Sequence, residues 1–105
     1  MLVGALMFIH VVYFWLKDNL SAAEKDAFTY GVKSLTTIKS VRQAYTGVPA
    51  TTDRPVIDRT YSYALVAVFA NQRDHDLYQS DPIHDRFRTE CGAFWKKVVI
   101  YDSVA

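Results

Sequence analysis

Residues 7–16, MFIHVVYFWL, are apolar at every position except His10. The run is rich in β-branched and aromatic side chains, so it predicts a strand. Polarity rises through Lys17, Asp18 and Asn19, and the pattern then changes period. Ser21 and Glu24 stand three apart as a capping box, in which each side chain satisfies a backbone N–H at the open start of a helix. Phe28, Gly31, Val32, Leu35 and Ile38 recur at helical spacing and predict a helix over 22–38. VRQAYTGV, 41–48, predicts a second strand ending at Pro49. The segment 49–60, PATTDRPVIDRT, is polar, holds two prolines and has no period, so it reads as a long loop. YSYALVAVFA, 61–70, is the third and clearest strand.

Beyond it the helical pattern breaks and restarts. Asn71, with Asp74 three residues on, caps a short helix reaching Ser80. Asp81 caps another, with Pro82 at the first helical position, where a missing N–H costs nothing. Ile83, Phe87, Cys91 and Phe94 make its apolar stripe. KVVIYDSV, 97–104, predicts the last strand. The order β-α-β-β-α-β is the ferredoxin-like α+β plan, a four-stranded antiparallel sheet with helices on one face.

In such a sheet the helix-free face should alternate to polar residues where it meets water. Here it does not. Phe8, Val12, Phe14 and Leu16 share one face of the first strand, and Met7, Ile9, Val11, Tyr13 and Trp15 share the other. In the third strand Tyr61, Tyr63, Leu65, Ala67 and Phe69 oppose Ala64, Val66, Val68 and Ala70. A second copy of the chain is the simplest cover, since two-fold dimers are the commonest oligomers. Two sheets packed face to face make a dimeric α+β barrel, with Val11, Tyr13 and Leu65 or their opposite-face neighbours at the contact.

Composition adds bounds. The chain of 105 residues reads as one domain over 7–105, with residues 1–6 as an N-terminal leader. A net charge of +1 without any basic run gives nothing to attract nucleic acid or an anionic membrane. The apolar N-terminus lacks the leading charge of a secretory signal, and it is shorter than the roughly 20 residues of a membrane span. Cys91 is the sole cysteine, which rules out an intrachain disulfide and fits a reducing, cytoplasmic compartment.

Two stretches carry a resemblance. FIHVVYFWLK places a histidine in an apolar first strand, and YALVAVFANQRDHDLYQSDPIHDRF runs strand, short helix and then Asp81-Pro82-Ile83-His84. Together with VVIYDS near the end, these resemble the stress-responsive A/B barrel (Dabb) family, whose members typically carry His-Pro-x-His at that place. Asp81 replaces the first histidine of the motif and His84 keeps the second. The resemblance implies a small homodimer, usually of unassigned biochemical role. It also implies a relation to plant polyketide cyclases of the olivetolic acid type, which work without a cofactor in a cavity between sheet and helices. The motif positions carry over as His84 for the base, Tyr78 for its partner and His10 at the cavity wall. A further cavity histidine of that type falls on Tyr63.

The residues themselves leave choices open. His84 is about the third residue of its helix, where the dipole disfavours imidazolium, while Asp81 and Asp85 favour it. It is a neutral base in a pocket or a surface histidine at a helix start. Tyr78 is a pocket hydroxyl or an ordinary core aromatic, and His10 a cavity group or a satisfied core histidine. His75, between Asp74 and Asp76, reads as solvated, and Cys91 as a packed thiol. Asp81, His84 and Asp85 do not have diagnostic metal spacing, so no metal or cofactor is expected. Three functions remain: a cofactor-independent binder or enzyme for a small apolar or aromatic molecule, a non-catalytic stress or assembly protein, and a monooxygenase of the same dimeric architecture.

Overall fold

The structure, a computed structural model, describes residues 7–105. The expected leader at 1–6 lies outside the described residues. The elements are β1 (Phe8–Leu16), α1 (Ala22–Leu35), β2 (Gln43–Gly47), β3 (Tyr63–Phe69), α2 (Gln72–Gln79), α3 (Pro82–Cys91) and β4 (Trp95–Val104). One four-stranded antiparallel sheet runs β2-β3-β1-β4, the ferredoxin-like order. The most apolar strands, β1 and β3, therefore take the centre.

Both ends of α1 have local causes. The Ser21 hydroxyl accepts from the Glu24 N–H, and the Glu24 carboxylate accepts from the Ser21 N–H at 2.8 Å. The helix ends at Leu35 rather than Ile38, because Thr36 and Thr37 turn their hydroxyls back onto the carbonyls of Lys33 and Ser34. The tightened turn still delivers Ile38 to the core. At the other sheet edge, β4 starts at Trp95, two residues before the expected Lys97, since a register shift at Trp15 and Leu16 lets β1 pair with it there.

Phe8, His10, Val12 and Phe14 alternate onto the inner face of β1 and are buried. Tyr63, Leu65, Ala67 and Phe69 of β3 join them, roofed by Phe28, Val32 and Leu35 of α1, Tyr78 of α2 and Phe87 and Cys91 of α3. Among the described residues the outer face carries no helix. Ile9, Val11, Tyr13 and Trp15 are only half-buried there, beside Ala64 and Val66. Leu65, expected beside Val11 and Tyr13 at a contact between copies, lies instead on the inner face, because it pairs with Val12 and is buried in the core. The 49–60 loop has no regular element but is held: Asp58 accepts from the Thr60 N–H and hydroxyl, and Thr60 accepts from the Trp15 indole at 2.9 Å. Among the described residues, no helix is long and apolar enough to cross a membrane.

At Gly31 α1 packs directly against Phe87 and Cys91 of α3. A Cβ there would lie 2.5 Å from Cys91 Sγ and 3.2 Å from the Phe87 ring. A helix interior ordinarily favours Ala over Gly by about 1 kcal/mol. Here the clash should reverse the sign, with overpacking costing about 1–3 kcal/mol. Gly31→Ala is expected to lower the urea midpoint in wild type but raise it in a Cys91→Ala background. Stabilisation by Gly31→Ala alone would show that the helices do not approach this closely.

Candidate active site

The interruption between α2 and α3 is built from its own residues. Ser80 closes α2, Asp81 Oδ1 accepts from the Ile83 N–H at 2.8 Å to open α3, and Pro82 starts it. Arg88 holds the joint by donating to the Gln79 backbone carbonyl and side-chain oxygen, both at 3.1 Å, and to Asp85 at 2.9 Å. The turned chain sets the Tyr78 and His84 rings edge to face with centroids 4.8 Å apart.

Both rings line a cavity of about 180 Å³ between sheet and helices. Its remaining wall is mostly apolar and includes Val12, Leu65, Phe87 and Trp95, with Arg88 and Gln79 among its polar members. His10 reaches it from β1, its ring 5.7 Å from that of Tyr78. Three of the four residues singled out in the sequence thus meet around one space. Tyr63 is not among the lining residues; it is buried on the same sheet face and packs edge-on against Phe28.

The electrostatics follow from burial. His84 is 8% exposed, and its Nδ1 is buried without a hydrogen-bond partner. Burial is the main reason its pKa is lowered to about 4; the Arg88 charge adds to this, while its own backbone and Asp85 push the other way. His84 is therefore neutral at pH 7. Desolvation decides this rather than the contest between helix dipole and carboxylates weighed from sequence. Burial raises the Tyr78 pKa, which keeps its hydroxyl protonated and able to donate.

His10 is fixed by a residue that sequence reading missed. Cross-strand pairing puts Asp102 of β4 directly opposite it, and His10 Nδ1 lies 2.6 Å from Asp102 Oδ1. A neutral His10 must donate Nδ1–H to that carboxylate, which leaves Nε2 as the acceptor. Burial lowers the His10 pKa, and nearby His75 adds to this; the Asp102 bond and charge oppose both. His75 corrects the expectation of a solvated histidine. Its side chain is 12% exposed, stacks on Phe8 at 4.4 Å and lies 4.9 Å from the His10 ring. Its acidic neighbours in sequence suggested water, whereas the helix turns its ring inward. Cys91 is a buried thiol whose pKa is raised by burial.

Fold and site together describe a small α+β domain with a half-open histidine–tyrosine pocket between sheet and helices. The chain matches the stress responsive A/B barrel domain over residues 8–105 and belongs to that family. A Dabb-family protein from Mesorhizobium loti with a ferredoxin-like fold is 25% identical, with a TM-score of 0.76, over 95% of this chain and 97% of that one. A dimeric ferredoxin-like protein of unknown function from Thermobifida fusca gives 0.77 at 16% identity, over 96% and 92%. The hydroxynitrile lyase of Passiflora edulis gives 0.77 at 19% identity, over 94% and 93%. No curated protein matches the sequence.

The buried, neutral His84 has a consequence for acid stability. Its pKa is about 4 in the fold and near 6.5 when unfolded, so the unfolded chain binds the proton more readily. Its neutral contribution should be intact above about pH 6.5 and lost progressively as pH falls towards about 4. Denaturant melts should show stability falling across that window, less steeply in His84→Gln. The slope should persist in part, because His10 is shifted in the same direction. An NMR titration placing His84 at or above 6.5 would contradict the buried geometry.

Proposed function

We propose that the protein is a homodimer in which each subunit binds a small, largely apolar molecule, about the size of one aromatic ring, between sheet and helices. His84 acts as a neutral base and Tyr78 as a hydroxyl donor towards the ligand's polar group. The observation that carries this reading is the His84 imidazole, buried on the cavity wall with Nδ1 unpaired. An unsatisfied buried polar atom costs about 1–3 kcal/mol. An unpaired nitrogen on a cavity wall is placed to meet the polar group of a bound molecule, and a neutral imidazole at pH 7 is suited to taking a proton.

The ligand size comes from the cavity. About 180 Å³ is slightly more than the roughly 150 Å³ engineered cavity known to hold benzene. A ring carrying a carbonyl or hydroxyl fits, and its polar group would face the histidine–tyrosine side. His10, held by Asp102, is a second wall group with an accepting nitrogen. The fold is compatible with catalysis, since one protein that shares it is a hydroxynitrile lyase. A polyketide-like substrate would have to place one ring at a time in this space. A reducing, cytoplasmic setting suits the single buried thiol of Cys91.

Binding is read through Trp95, which lines the cavity. Monocyclic phenols and aryl ketones should quench its fluorescence saturably. His84→Ala should leave the fold intact and weaken that binding roughly three- to tenfold, the worth of one hydrogen bond. Tyr78→Phe should weaken it comparably. Absence of saturable quenching, or quenching indifferent to both changes, would leave the pocket without this role.

The dimer is proposed through the helix-free face. Val11 lies near its centre, flanked across the sheet by Val66 and Tyr101. Tyr101 and Tyr45 are each 63% exposed in the single chain. A relative with the same fold is dimeric. Light scattering at micromolar concentration should give twice the chain mass. Val11→Lys should give the monomer, since an unpaired charge buried in that contact costs several kcal/mol. A wild-type monomer would refute the assembly.

A further inference from the structure

We propose that His10, His75 and Asp102 form a binding site for one divalent first-row transition ion, such as Zn²⁺ or Co²⁺, at the edge of the cavity. Each offers one ligand atom, and these atoms all lie within 4.8 Å of one another. Three atoms that close share a point no more than about 2.8 Å from each, against metal–ligand bonds of about 2.0–2.2 Å. Small side-chain rotations close that gap. Two imidazoles and a carboxylate suit an ion of this class.

The three come from separate elements, so the fold assembles the set. His10 is on β1, Asp102 opposite it on β4, and His75 on α2 above them. Their surroundings already have the form that ligation needs. Metal-bound histidines usually donate the remaining ring N–H to a carboxylate. His75 Nδ1 lies 3.1 Å from Asp76 Oδ1, and its Nε2 lies 3.2 Å from the Gln79 side-chain amide nitrogen. With Nδ1–H given to Asp76, Nε2 carries the lone pair and accepts from Gln79. A metal at His75 Nε2 replaces that donor, and one held between His10 Nδ1 and Asp102 displaces the Nδ1 proton, which moves to Nε2 or leaves to solvent as the ion enters. The His10 and His75 rings lie side by side with centroids 4.9 Å apart, which brings both imidazoles to one place.

Access and packing agree with this. The Asp102 side chain is 39% exposed while that of His10 is 3% exposed, so the carboxylate gives an ion its way in to a buried nitrogen. His75 stacks on Phe8 and packs against Phe69, which restricts its ring. Three protein ligands leave a fourth position for water or an oxygen of a bound molecule. His10 also lines the cavity, so the ion would lie beside the pocket.

The test uses the full chain without an affinity tag, titrated with Co²⁺ and followed by its visible absorption, and with Zn²⁺ by calorimetry. One ion per chain should bind saturably. Loss of an outer-shell partner alone typically weakens metal binding roughly 10–100-fold, so removing a ligand should cost at least about tenfold. His75→Leu, which keeps an apolar contact with Phe8, and Asp102→Asn should each show that loss. His84→Ala should bind Co²⁺ as wild type does. Retention of Co²⁺ binding in His75→Leu, or its loss in His84→Ala, would place the ion elsewhere and overturn the site. Absence of a saturable one-to-one complex in wild type would overturn it directly. Aryl ligand quenching of Trp95 should survive His75→Leu, so failure of the metal site and failure of the pocket reading give different results.

Discussion

Burial of the inner faces of β1 and β3 beneath α1, α2 and α3 sets where every other group in this molecule can go. Phe8, Val12, Phe14, Leu65, Ala67 and Phe69 have no polar alternative to the helix side, and the roof of Phe28, Val32, Leu35 and Phe87 closes over them. Antiparallel alternation then sends Ile9, Val11, Tyr13 and Trp15 to the opposite face. That face is apolar as well and has no helix. One layer of packing therefore produces two consequences: an interior that must take in any polar side chain of the inner register, and an apolar outer face that no helix among the described residues covers.

The polar side chains of the inner register make the site. His10 sits among apolar neighbours and is satisfied only by Asp102 from the edge strand. Tyr78 and His84 arrive from helices that could not both reach the cavity if α2 and α3 were one straight rod. The Asp81 cap and Pro82 turn the chain, and Arg88 locks the turn by holding the last carbonyl of α2. His10 and His84 are each desolvated, which lowers both pKa values and favours the neutral imidazoles. A cavity of neutral nitrogens and a protonated phenol suits proton transfer, hydrogen bonding to an apolar ligand, or metal ligation.

Much of this was legible along the chain. The Ser21–Glu24 box, the two-sided strands, the break at Ser80-Asp81-Pro82 and the order of elements lie in short-range patterns, and the fold follows them closely. Residual differences sit at ends. Ile38 has the periodicity of α1 but lies past its last turn, because two threonine hydroxyls compete for the carbonyls that would have continued the helix. Tyr63 shares the inner face with His10, as the alternation required, yet it is at the Phe28 end and away from the cavity wall. Alternation specifies a face and not a position along it.

By itself, then, the sequence determined the α+β architecture, the apolar character of both sheet faces and the break between the helices that carry Tyr78 and His84, because each is written in short-range patterns; that the two rings meet is not written there. The tertiary structure alone decided what surrounds His10. Asp102 is 92 residues away in the chain and becomes its partner only through the β1–β4 register. His75 has acidic neighbours on both sides and looked solvated, but the docking of α2 on β1 turns it onto Phe8 and beside His10. Cross-strand register and helix orientation are set by the packing of the whole core. No local spacing encodes them.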